Sequence, residues 1–123
     1  MIIRSHRDLD VYTIAFQAAM EIYDLTKNFP IEEKYSMTDQ MRRASRSVCA
    51  NLAEAFRKRK YPKSFIAKLS DSEAEAAEVQ TWLEFALTCN YINTEKYQEL
   101  YIQYDSVIGK LVKMSLQPEK WQY

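Results

Sequence analysis

The side chains of this 123-residue chain with the means to do chemistry are two cysteines, one histidine and a dense run of carboxylates, and their spacing speaks against an active site. A cysteine nucleophile needs a base beside it, usually histidine, and the only histidine, His6, precedes the first periodic segment. Structural zinc takes four ligands at short local spacing, which Cys49, Cys89 and a terminal histidine do not supply. A di-iron carboxylate bundle needs Glu-x-x-His pairs on facing helices, and a phosphate-cradling loop needs several glycines, where this chain has one. Glu73, Glu75 and Glu78 lie close in sequence, but at about 100° per residue a helix scatters them around its axis. They are read as solvated surface forming ion pairs. Asn51 and Glu54, in the run NLAE, sit beside an apolar face and are read as hydrogen-bonding residues at a helix or subunit contact. No catalytic, cofactor-binding or metal-binding residue is expected, and neither is an enzyme.

What remains is electrostatic. Seventeen basic and seventeen acidic residues cancel, yet their distribution is uneven. Residues 42–68 carry Arg42, Arg43, Arg46, Arg57, Lys58, Arg59, Lys60, Lys63 and Lys68 against Glu54 alone, whereas 71–84 holds Asp71, Glu73, Glu75, Glu78 and Glu84 with no base. On a helical wheel Arg42, Arg46, Arg57 and Lys60 share one stripe, with Arg43 at its margin. Such a stripe binds nucleic-acid phosphates without sequence preference, with Tyr61 placed to stack on a base. Alternatively it is a set of solvated faces paired with the acidic segment. The candidate nucleic-acid residues are Arg42, Arg43, Arg46, Arg57, Lys58, Arg59, Lys60 and Lys63.

The elements that must position these residues are helical. One glycine and three prolines are too few for a turn-rich β protein, and apolar residues recur at helical spacing throughout. In 37–60, Met37, Met41, Ala44, Val48, Leu52, Ala55 and Phe56 form a core arc, and Ser36 followed by Asp39 predicts a capping box. Helix one, about 8–28, stops before Pro30. Helix three, about 63–90, follows Tyr61-Pro62 and carries Phe65, Leu69, Ala76, Val79, Leu83 and Leu87 on a narrow seam. Helix four, about 94–116, starts at an Asn93 or Thr94 cap. Its Tyr97, Leu100, Tyr104, Val107, Leu111 and Met114 hold a heptad-like register. Gly109 falls inside helix four, as a point of close approach or as a tolerated defect. The start of the chain, 1–7, is expected to fray, and the tail EKWQY, with Trp121 and Tyr123, either docks or is disordered. The predicted fold is all-α, one up-down-up-down antiparallel four-helix bundle spanning 1–123.

Helix one has more apolar surface than such a bundle can cover. Leu9, Val11, Tyr12, Ala15, Phe16, Ala18, Ala19, Met20, Ile22 and Tyr23 spread widely, and Ile14 and Leu25 extend the arc to roughly twice the usual stripe. Trp82, Phe85 and Ile66 lie off the seam of helix three, and large aromatics there suit an interface. Ile14, Leu25, Ile66, Trp82 and Phe85 are therefore candidate contacts between copies of the chain. Both cysteines fall inside predicted helices and are read as reduced core thiols. The first residues hold no apolar signal segment and no run reaches transmembrane length, so a cytoplasmic protein with no membrane partner is expected.

The stretch YSMTDQMRRASRSVCANLAEAF, preceded by DLDVYTIAFQAAMEIYDLTKNFP, resembles the bacterial four helix bundle protein family. That family includes proteins encoded by intervening sequences in 23S rRNA genes, and it is similar to the accessory protein of diversity-generating retroelements. The resemblance covers about residues 8–116, most specifically Gln40, Arg42, Arg43, Ala44, Ser47, Asn51, Ala53 and Glu54. Cys49 stands where the family often has proline and Ala55 where it often has glycine, both favouring an unbroken helix. The resemblance implies a homopentamer. Through the retroelement relative it also implies a nucleic acid or nucleic-acid-processing protein as partner.

Overall fold

The computed structural model describes residues 3–122. Its long elements are α1 (Asp10–Thr26), α2 (Met37–Arg57), α3 (Pro62–Thr88) and α4 (Thr94–Leu116). Short 3-10 turns lie at His6–Asp8, Ile31–Glu33 and Pro118–Lys120. Short connections fold the helices into an antiparallel bundle in which α1 packs on α2 and α4, and α3 packs on the same two neighbours. The seams of α3 with α2 and α4 are more extensive than those of α1, which is also the shortest of the four helices.

The core follows the apolar periodicity. All seven residues of the predicted α2 arc are buried, as are Phe65, Leu69, Ala76, Val79 and Leu83 of α3 and Leu100, Tyr104, Val107, Leu111 and Met114 of α4. Each large side chain removed from water this way contributes about 1.5–3 kcal/mol. Two buried polar side chains find partners along the seams, whereas the hydroxyl of the buried Tyr104 has none among the described residues. Ser72 Oγ donates to the Val48 carbonyl at 2.7 Å, and Gln80 Nε2 donates to Asp105 at 2.8 Å.

Several helix ends differ from expectation. Of the segment 1–7 expected to fray, residues 1–2 lie outside the described residues and Ile3 packs on the core, and the true capping box is Ser5 with Asp8. The Ser5 hydroxyl accepts from Arg7 N–H, and Asp8 Oδ2 accepts from Arg4 and Ser5 N–H. The predicted Ser36–Asp39 box does not form, because the Ser36 hydroxyl turns back to donate to Glu33 Oε1 at 2.7 Å. Helix α2 ends at Arg57, so Lys58 and Lys60 belong to the turn. Helix α3 ends at Thr88, followed by Asn90 at φ 63°, the only positive φ among the described residues. Tyr91 N–H reaches the Ala86 carbonyl at 2.8 Å and Asn90 N–H reaches Leu87 at 3.0 Å, a Schellman closure with asparagine in the left-handed position. Cys89 is therefore an exposed residue at a helix end and not a core thiol. At the C-terminus Trp121 packs on the core, while Tyr123 lies outside the described residues.

One clasp ties the α1–α2 and α3–α4 connections together. The Tyr91 hydroxyl donates to Glu33 Oε2 at 2.8 Å, and the Tyr91 ring lies 5.2 Å from that of Phe29. Hydrogen bonds from Ser36 and Tyr91 hold the Glu33 carboxyl below its ordinary 4.5, and the Glu33 partner pushes Tyr91 up to about 12. A depressed carboxyl stabilises the fold above its unfolded pKa, and the contribution is lost as pH falls through the folded value. A raised phenol stabilises it below 10, and that contribution is lost as pH climbs toward about 12. Wild type should therefore exceed Tyr91→Phe in stability at neutral pH, with the gap narrowing at both pH extremes in urea unfolding.

Backbone geometry supplies a second expectation. A methyl group at Gly109 would meet nothing within 4 Å, so Gly109→Ala should raise stability by up to about 1 kcal/mol. Asn90→Ala should lower it by about 1–2 kcal/mol, since alanine resists the left-handed region that asparagine tolerates. Thermal unfolding of the two variants checks both signs.

Candidate interaction surface

Helix α2 meets α1 on one side and α3 on the other, and its polar residues divide between them. Arg42 reaches the last turn of α1, where Nε donates to Thr26 Oγ1 at 2.8 Å and a terminal nitrogen donates to the Tyr23 carbonyl at 3.2 Å. Its guanidinium also lies 4.7 Å from the centre of the Tyr23 ring. Thr26, buried although no apolar period marks it, donates to the Ile22 carbonyl at 2.8 Å. Its hydroxyl also lies 3.1 Å from the Tyr23 carbonyl, so Thr26 and Arg42 both serve a carbonyl in the last turn of the helix, where backbone donors run out. Arg43 turns the other way and bonds Glu75 at 3.1 Å and Glu78 at 2.6 Å on α3. Farther along, Lys68 of α3 donates to Asn51 at 3.3 Å and pairs with Glu54 at 3.5 Å.

The predicted basic stripe is therefore divided. Arg42 and Arg43 are held between helices, and Arg59 folds back so that Nε donates to the Phe56 carbonyl at 2.8 Å, with its guanidinium over the Phe56 ring. Arg46 lies 5.9 Å from the Tyr23 ring. Arg57, Lys58, Lys60 and Lys63 are exposed around the α2–α3 turn beside Tyr61, which is 58% exposed. Among the described residues none of these four makes an ion pair with a carboxylate, and Lys60 lies 5.6 Å from the centre of the Tyr61 ring.

The candidate interface residues separate as well. Ile14 and Leu25 are half-buried and pack on the chain's own core. The large apolar side chains that α1 turns outward are Phe16, 49% exposed, and Met20, 47% exposed. The wide arc contained both, but periodicity could not say which edge of it was covered. Three buried residues, Ala15, Ala18 and Ile22, set the inward direction. Between this ridge and α2 runs an open cleft of about 350 Å³, lined by Tyr12, Phe16, Ala19, Met20, Tyr23, Arg46, Cys49, Ala50 and Ala53. Burial pushes the half-buried Cys49 thiol up to about 11, so it enters the cleft as an apolar group. On α3, Ile66 and Phe85 are exposed. Half-buried Trp82 donates from Nε1 to Glu78 at 3.2 Å and lies 5.7 Å from the Phe85 ring. No three His, Cys, Asp or Glu side chains among the described residues are arranged to hold a metal ion, and no described helix is long and apolar enough to cross a membrane.

The model of the 23S rRNA-intervening sequence protein family matches residues 7–113. The chain belongs to this family. A solved structure from Bacteroides thetaiotaomicron, described as a protein of unknown function from the S23 ribosomal protein family, is 28% identical. The match has a TM-score of 0.77 and covers 85% of this chain and 94% of that one. No curated protein matches the chain. Of the eight residues that carried the family resemblance most specifically, Arg42, Arg43, Asn51 and Glu54 join α2 to α1 and α3.

This division of the arginines has a measurable consequence. Arg42→Gln should lower stability by about 2 kcal/mol, the scale of lost charge-assisted hydrogen bonds. Arg57→Gln, changing an exposed residue, should stay within about 0.5 kcal/mol of wild type. Chemical denaturation of both variants makes the comparison.

Proposed function

We propose that this chain is a non-enzymatic, homo-oligomeric scaffold, with five copies the number implied by its resemblance to pentameric relatives. The observation that carries the reading is the α1–α2 cleft. A ridge with Phe16 and Met20 about half exposed stands beside a floor of small and aromatic side chains between α1 and α2. Scattered surface apolar residues are ordinary, but a contiguous patch on a soluble fold marks an interaction site. The side chains that join the helices serve the fold internally, which leaves the cleft as a feature that the monomer itself does not use. Light scattering after size exclusion should give a mass several times the 14.6 kDa protomer. Met20→Glu should reduce it to the protomer mass while circular dichroism stays unchanged. A wild-type monomer at micromolar concentration would defeat the proposal.

A second reading, nucleic-acid binding, draws on the α2–α3 turn. Arg57, Lys58, Lys60 and Lys63 cluster there without carboxylate partners among the described residues, beside an exposed tyrosine. Repetition of the turn around an oligomer would raise local positive charge well above that of a neutral protomer. The expected behaviour is binding to single-stranded and double-stranded probes that weakens steeply with salt. Replacing the four residues with glutamine should abolish the gel shift and leave the oligomer intact.

A further inference from the structure

The cleft on α1 and α2 has a complement on the same chain. Phe85 projects from α3, 51% exposed, against Trp82, whose indole N–H is fixed on Glu78 while Glu78 is itself held by Arg43. Trp82 is thus pre-oriented, and this half of the aromatic anchor has little side-chain freedom left to lose when it docks. Aromatic anchors that enter a pocket of small residues supply much of the energy of protein interfaces.

Charge matches shape. Exposed Arg46 lines the cleft and exposed Arg57 lies one turn beyond Ala53 on the same helix. The anchor stands on a helix whose segment from 71 to 84 carries five carboxylates and no base. Arg43 and Lys68 pair with Glu75, Glu78 and Asp71, which leaves Glu73 and exposed Glu84, next to Phe85, without an ion pair among the described residues. Helices α1 and α3 occupy opposite corners of the bundle, since each packs on α2 and α4. No protomer can therefore place its own anchor in its own cleft. A cleft-to-cleft contact would bring arginines on both copies together and leave the anchor wet.

We infer that self-association is head-to-tail, with the Trp82–Phe85 anchor of one copy seated in the α1–α2 cleft of the next. This rests on the proposed oligomer and says which two surfaces form it. A contact between two different surfaces repeats until it closes into a ring or continues as a fibre, whereas a contact between identical surfaces stops at a dimer.

The test uses two full-length variants, Met20→Glu to spoil the cleft and Phe85→Glu to spoil the anchor, both at partly exposed positions. Circular dichroism of each confirms folding. Each variant alone should be monomeric by light scattering. An equimolar mixture should give a 1:1 dimer and nothing larger, because one intact cleft and one intact anchor remain. If Phe85→Glu keeps the wild-type mass, or the mixture stays monomeric, the head-to-tail contact is overturned while self-association stands. A monomeric wild type overturns both.

Discussion

Two consecutive arginines hold this bundle together by pointing apart. Neighbouring residues on a helix diverge by about 100°, so Arg42 reaches α1 while Arg43 reaches α3. The two contacts differ in kind. Arg42 donates to the Thr26 hydroxyl and to the Tyr23 carbonyl in the last turn of α1, where backbone donors run out. Arg43, 46% exposed at its side chain, forms a fork with Glu75 and Glu78 that solvent screens. Such pairs typically contribute about 0–1 kcal/mol, so its larger role is to fix the rotation of α3 against α2 and, through Glu78, the orientation of Trp82.

The position of α1 follows from the size of what it buries. Ala15 and Ala18 allow close packing, and Ile22 with Val11 completes a narrow inner stripe. With small residues inside, the larger ones on the same helix are left at its edges and outer side. Tyr12 and Tyr23 flank α2, Ile14 and Leu25 are partly covered by the core, and Phe16 and Met20 face outward. The alanines of α2, Ala50 and Ala53, leave the floor low enough for a cleft. The apolar surface that α1 leaves uncovered thus lies along its cleft with α2.

Charge is distributed by the same geometry. The protein is neutral as a whole, but its basic residues divide between inward helix contacts and an outward turn, and its acidic segment lies along α3. Net charge describes none of this. The surface presents the basic turn around Tyr61 on one part and the carboxylates of α3 on another.

The sequence determined the helices, the four-helix architecture and almost the whole core, because burial on one side of a helix leaves a repeat that can be read directly. It also narrowed the start of α3 to Pro62 or Lys63 and the cap of α4 to Asn93 or Thr94, of which the structure takes Pro62 and Asn93, since both are local backbone devices. Ser36 shows the limit of such local signals: its hydroxyl had a closer partner in Glu33, and the expected cap did not form. The destinations of Arg42 and Arg43, the burial of Thr26 and the outward turn of Phe16 and Met20 were decided only in the tertiary structure. A periodic pattern gives the direction of a side chain relative to its own axis, whereas its partner depends on how far, and at what rotation, the neighbouring helix approaches.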